Sequence, residues 1–241
     1  MSYVLSGRCD NDIAGKIYTS NRFMGLMMEK LLKRYNVVVA IVIFAALPIL
    51  IWALGGSSQR GVLKETISVV TIVSFSMMLM QFYLARTNKN MLKIHKMSKV
   101  LNIHKIIGYV FVPILLVHPF LIVVPRYFEA GIDPSDAFLT LITSFNNTGV
   151  VLGMIAWVLM FIIGLTSVFR NSLPMTYSSW RVLHGVLSIL FVVLAAWHVI
   201  ELGRHSSDWM TAFIVIIATG GILLLAKTYF SKPNKGGQSN V

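Results

Sequence analysis

Six stretches of this chain are too apolar and too long for water to be their solvent, and they restrict the fold more than any other feature. Crossing ~30 Å of hydrocarbon takes about 20 residues in a helix. The runs 37–54, 67–84, 101–124, 150–169, 182–202 and 209–226 each come close to that length. None alternates polar with apolar, and an open sheet edge cannot face lipid with its amides unpaired. The reading is an all-α, integral membrane six-helix bundle. Composition agrees: of 241 residues 56% are hydrophobic and 12% charged, about half the charge usual in a soluble domain. The predicted organisation is a cytoplasmic N-terminal segment 1–36, a six-span domain 37–230 and a cytoplasmic tail 231–241.

The formal net charge is +12, a value that in a soluble protein would suggest nucleic acid. Its distribution excludes that. Arg22, Lys30, Lys33 and Arg34 precede the first run; Arg86, Lys89, Lys93, Lys96 and Lys99 separate the second from the third, with Lys105 just inside the third; Arg170 and Arg181 bracket the fourth junction; Lys227, Lys232 and Lys235 follow the sixth. With six crossings all of these fall on one side. The opposite loops hold Arg60 and Lys64, Arg126 with Glu129, Asp133 and Asp136, and Arg204 with Asp208. Basic loops stay in the cytoplasm, so a multi-pass protein of the cell membrane with both termini cytoplasmic is expected, its charge meeting lipid headgroups rather than a polynucleotide. Residues 1–16 are polar and lack a secretory pattern, which leaves the first span as its own insertion signal. Cys9 is the only cysteine, so neither an internal disulfide nor a thiolate-held cluster can form. Between the third and fourth runs the short apolar stretch 137–145 cannot span, and is expected to lie along the outer surface as a lid.

The chemistry lies in four histidines. His104 and His118 occupy the third run, His184 and His198 the fifth, each pair fourteen residues apart. At ~100° per residue, fourteen steps return a side chain to within about 40° of its starting face, and at 1.5 Å per residue they separate the two levels by roughly 21 Å. One full span lies between the two helices, so they run parallel, with His104 level with His184 near the cytoplasmic face and His118 level with His198 near the outer face. Two facing imidazole pairs suit two haems, each with two axial histidines. Zinc would need four ligands converging at one point, and these are split between two depths. A lone histidine in a span can be a structural hydrogen bonder, but ionisable groups inside a bilayer are costly and by default functional. His95 and His205 fall in loops and are read as solvated. His118-Pro119-Phe120 resembles a flavin-binding tripeptide, but inside a spanning helix His118 is a ligand and Pro119 a kink-former. No glycine-rich nucleotide fingerprint is present.

Two stretches, HKIIGYVFVPILLVH from His104 to His118 and WRVLHGVLSILFVVLAAWH from Trp180 to His198, resemble the ferric reductase transmembrane family, which includes the membrane half of NADPH oxidases. The resemblance implies a b-type cytochrome with two haem b groups between the third and fifth helices. His104 and His184 would ligate the inner iron, His118 and His198 the outer, and electrons would pass from a cytoplasmic donor to an outer acceptor such as ferric iron, a flavin or oxygen. Oxidase-type members continue into FAD- and NADPH-binding domains, whereas this sequence runs only to Val241. The expected reductant is therefore a separate flavoprotein carrying FAD or FMN, or membrane quinol feeding a periplasmic reductase. Gly108, one turn from His104, would admit a porphyrin or allow close helix packing. Lys105 and Arg181 inside, and Arg60 and Arg126 outside, are the cations available to haem propionates. A haem-free channel or transporter is the reading from a different class.

Overall fold

The computed structural model describes residues 36–56, 61–84 and 95–230. Cys9, the terminal segments 1–35 and 231–241, and Arg60, Arg86, Lys89 and Lys93 lie outside the described residues. The described part contains helices and no strands. We number the helices α1 (Asn36–Leu54), α2 (Val62–Tyr83), α3 (Met97–Ala130), α4 (Pro134–Ile142), α5 (Thr148–Val168), α6 (Tyr177–Leu202) and α7 (Asp208–Phe230). All but α4 are long and apolar enough to cross a membrane. The six spans foreseen from the apolar runs are therefore present, and the fold is an integral membrane six-helix bundle.

Most helices begin or end outside the apolar run that announces them. α3 is 34 residues long, about 50 Å at 1.5 Å per residue, and so outreaches the hydrocarbon at both ends. Pro113, Pro119 and Pro125 all lie inside it, each removing one backbone hydrogen bond without ending the helix, as neighbouring helices allow in a membrane. It stops at Gly131, whose φ of 64° is the left-handed conformation a glycine adopts freely and whose N–H closes on the Tyr127 carbonyl at 3.0 Å. Side-chain caps open three helices: Asp133 for α4, Asn147 for α5 and Thr176 for α6. In α1 a π-helical turn, Val42–Ala46, precedes Pro48, where the missing N–H and the bulk of the ring widen the helix.

The spans form a ring. α2 packs on α3, α3 on α5, α5 on α6, α6 on α7, and α7 back on α2, while α1 lies outside against α2 and α7. The tightest pairs are α5 with α6 and α2 with α3. α3 and α6, the two helices carrying the paired histidines, are not a closely packed pair; they face one another across the ring. The core is assembled from Leu79, Leu115, Met160, Val192 and Ile214, one from each ring helix. Large apolar side chains such as Ile216, Leu223 and Trp197 are exposed on the outside, an arrangement that is stable only against lipid. The short stretch foreseen as a lid is α4, which lies against α3: Ala137 is buried, and the Phe138 ring stacks on Phe120 with centroids 4.7 Å apart.

Side chains rather than helix backbones tie the ring together. Gln81 Nε2 donates to the His104 carbonyl at 3.1 Å, Tyr83 Oη to the Ile217 carbonyl at 2.8 Å, Trp157 Nε1 to the Leu116 carbonyl at 2.9 Å and Trp180 Nε1 to the Thr166 carbonyl at 3.0 Å. Each bond joins a different pair of helices, in a solvent that offers the donor no water as an alternative.

Candidate functional site

His104 and His118 project from α3, His184 and His198 from α6, and all four are partly buried. The ring centres of His104 and His184 are 6.4 Å apart with planes inclined by 63°. His118 and His198 are electrostatic neighbours at the other level. Between the two levels the interior is apolar, with Leu115 of α3 and Phe191, Val192 and Ala195 of α6 buried there. The pairing expected from the fourteen-residue spacing is thus the pairing the fold makes.

Hydrogen accounting assigns the tautomers. The Thr71 hydroxyl donates its one proton to the Ile67 carbonyl at 2.8 Å, and its oxygen lies 3.3 Å from His118 Nδ1. With that proton spent, the oxygen can only accept, so Nδ1 carries the hydrogen. Ser167 repeats the device: its hydroxyl donates to the Ile163 carbonyl at 2.6 Å and sits 3.3 Å from His184 Nδ1. His198 Nδ1 donates to the Gly149 carbonyl at 2.7 Å, and a carbonyl has no proton to give. Three imidazoles are therefore held as the Nδ1–H form, with Nε2 left as the lone-pair nitrogen. No hydrogen-bond partner for the Nε2 atoms of the four histidines is found among the described residues. His104 differs: its Nδ1 is buried without a partner, and only its backbone carbonyl is engaged, by Gln81.

These residues fit a bis-histidine haem. A metal-bound imidazole uses one nitrogen and donates the other N–H to a fixed acceptor, which is what Thr71, Ser167 and the Gly149 carbonyl provide. Two imidazoles holding one iron at metal–nitrogen distances of about 2 Å would have ring centres roughly 6 Å apart, close to the separation of His104 and His184. Among the described residues no three or more His, Cys, Asp or Glu side chains cluster as a metal cage; the donors come in twos. Towards the start of α6 from His184, Trp180 stacks at 5.1 Å and 28°, Tyr177 stacks on Trp180 at 5.9 Å, and the Arg170 guanidinium lies over both rings at 5.0 and 5.5 Å. This column fixes one face of the imidazole.

The remaining residues singled out from sequence fall as follows. Lys105 and Arg181 are exposed near the level of His104 and His184, and Arg126 is exposed towards the far end of α3. Gly108 abuts the side chain of Gln81 on α2, where an added Cβ would make an ordinary contact at 3.6 Å. Two expectations need correcting. His95 is buried, 7% exposed, and not a solvated loop residue. His205 is also sheltered: its Nε2 lies 3.4 Å from Glu65 Oε2, and its ring is 6.0 Å from that of Trp52, because the loop after α6 folds back, Ser206 donating to the Val199 carbonyl at 2.5 Å. Thr71, Ser167 and Gly149 escaped the sequence reading. The available signal was a hydroxyl or small residue inside an apolar span, which in membranes marks a helix contact.

Residues 70–195 match the family described as ferric reductase like transmembrane component. An uncharacterized protein of Archaeoglobus fulgidus is 40% identical over 160 residues, covering 66% of this chain and 87% of that protein. No solved structure matches. The family match takes in α2 from Val70, all of α3, α4 and α5, and most of α6, with His104, His118 and His184 inside it and His198 just beyond its end. On that match, which covers more than half of its length, this chain belongs to the ferric reductase like transmembrane component family.

Proposed function

We propose that the chain is a transmembrane b-type cytochrome in which His104 and His184 hold one haem b and His118 and His198 a second. In this role it carries electrons from a reductant at the basic end of the bundle to an acceptor at the other. The observation that carries the proposal is the set of three imidazoles whose Nδ1–H is committed, His118 to Thr71 and His198 to the Gly149 carbonyl at one depth and His184 to Ser167 at the other, with His104 facing His184. Haem would supply one-electron iron chemistry when bound, and His104, His184, His118 and His198 would hold it for electron exchange rather than for binding a substrate. The protein does the rest. It presents the lone-pair nitrogens, braces the rings from α2 and α5, and keeps a dry apolar layer between the levels.

Charge supports the direction. Among the described residues Lys96, Lys99, Lys105, Arg170, Arg181 and Lys227 lie at the His104/His184 end. The described carboxylates, Glu65, Glu129, Asp133, Asp136, Glu201 and Asp208, all lie at the other. The basic end is cytoplasmic by the positive-inside rule, and a potential negative inside favours outward electron movement by about 2.3 kcal/mol per 100 mV for a full crossing. Lys105 and Arg181 would meet the propionates at the inner level and Arg126, with Arg60, those at the outer. The reductant is a flavoprotein carrying FAD or FMN, or membrane quinol; the acceptor is ferric iron, a flavin or oxygen.

Haem stoichiometry with a reductive titration of the purified protein tests this. Two b haems per chain are expected. His118→Ala and His198→Ala should each abolish one titrating component, and His104→Ala and His184→Ala the other. A protein without a Soret band, or four variants with equal haem content, refutes the assignment.

A further inference from the structure

His198 is seated differently from the other three histidines. A Cβ built on Gly153 of α5 would lie 2.5 Å from His198 Nδ1, 2.6 Å from Cε1 and 3.1 Å from Cγ, so the backbone of α5 is pressed flat against the imidazole. One turn earlier the Gly149 carbonyl accepts the Nδ1–H at 2.7 Å, and a Cβ on Gly149 would meet Leu202 at 2.5 Å. The G-x-x-x-G spacing at 149–153 thus does more than bring α5 and α6 together. One glycine supplies the acceptor and the other the surface on which the ring lies. With its face against α5 and its Nδ1–H bound, the ring can neither flip nor rotate away, and Nε2 is held as the outward nitrogen.

We propose that Gly153 is a positioning residue: the absence of a side chain there is what aims His198 as a ligand, so the outer level depends on a glycine that itself binds nothing. This rests on the bis-histidine haem reading above. A methyl group at 153 must displace the imidazole, and the ring cannot yield while it keeps its bond to the Gly149 carbonyl. Gly164 provides an internal control on the same helix, since a Cβ there would meet Val112 Cγ1 at an ordinary 3.6 Å.

The test compares haem content, reductive titration and low-temperature spectra of detergent-purified wild type, Gly153→Ala, Gly164→Ala, His198→Ala and the double variant Gly153→Ala/His198→Ala. Expected is loss of one of two titrating components, or a changed spectrum and potential for it, in Gly153→Ala, with the other component unmoved and Gly164→Ala like wild type. In the His198→Ala background the 153 substitution should change neither the remaining haem nor thermal stability, because the ring it would strike is gone. If Gly153→Ala keeps both haems with wild-type spectra and potentials, or if it lowers stability equally with and without His198, the seat is refuted and the glycine serves only helix packing. A wild-type protein holding no haem instead refutes the underlying reading, and that outcome is visible before any variant is made.

Discussion

A hydroxyl inside an apolar helix usually bonds back to the carbonyl four residues earlier, and Thr71 and Ser167 do so. That habit gives them their role. Having spent its proton, each oxygen can only accept, so it selects the Nδ1–H tautomer of the histidine facing it and leaves Nε2 for a metal. Removing such a partner from a metal-bound histidine typically costs about 10–100-fold in affinity. Thr71→Val should therefore weaken haem retention at the His118 level by roughly that factor and leave the His104 level intact, while Ser167→Ala should do the reverse. Haem transfer to excess apomyoglobin, followed component by component, measures both. Equal loosening of the two levels by either variant would contradict the tautomer assignment. His104, whose Nδ1 has no partner among the described residues, is the proposed ligand for which no such substitution is available.

Among the elements, α3 carries two of the four paired histidines despite three internal prolines, and it is braced from both sides, by Gln81 on one and Trp157 on the other. Trp157→Phe keeps an aromatic ring, smaller than the indole, and deletes the N–H to the Leu116 carbonyl. The expected loss is about 0.6 kcal/mol of stability and at most about 1.7 kcal/mol, as found for single interhelical hydrogen bonds in membranes, measurable by denaturant unfolding in detergent. A loss indistinguishable from zero would mean that the indole acts by packing alone. The short helix α4 is held at its start by Asp133, which accepts from the Ser135 amide at 2.8 Å and from its hydroxyl. Those hydrogen bonds, the hydroxyl's first, hold the carboxyl below the ordinary carboxylate range. A depressed folded-state value means that the cap is fully made above the ordinary Asp value of about 3.9 and is lost only as pH falls through the lower folded one. The Ser135 amide resonance should accordingly titrate with a midpoint below that ordinary value, and should not titrate in Asp133→Ala. A midpoint above 4 would exclude the cap.

For the whole molecule the decisive arrangement is a ring in which α3 and α6 are opposite rather than adjacent. Helices α2 and α5 carry the groups that hold the imidazoles, so the two histidine-bearing helices are positioned by their neighbours and not by one another. The charge asymmetry along the ring axis, with every described carboxylate at the His118/His198 end, predicts the sense of insertion. With Cys9→Ser as the background, cysteines introduced singly at Lys99 and at Arg204 should react with a membrane-impermeant maleimide from opposite sides, the first only after the membrane is opened. Labelling of position 99 in intact cells would invert the proposed topology, and with it the direction of electron flow.

Hydropathy established the number of spans and their helical nature, because a bilayer leaves a chain few other ways to satisfy its backbone, and the equal fourteen-residue spacing, close to a whole number of helical turns on two parallel helices, placed each histidine pair on one face and at matching depths. Hydropathy misjudged where α2, α3 and α6 begin, since apolarity reports the thickness of the hydrocarbon while a helix continues for as long as its hydrogen bonds and caps allow, as at Thr176 and Gly131. His95 and His205 looked solvated for a similar reason: the folding back of a loop leaves no periodic trace. What the linear order could not contain is which residues of α2 and α5 touch the imidazoles. That Thr71, Ser167, Gly149 and Gly153 meet histidines 17 to 49 positions away follows from the order of helices around the ring, and that order is settled by side-chain packing among six similar apolar helices.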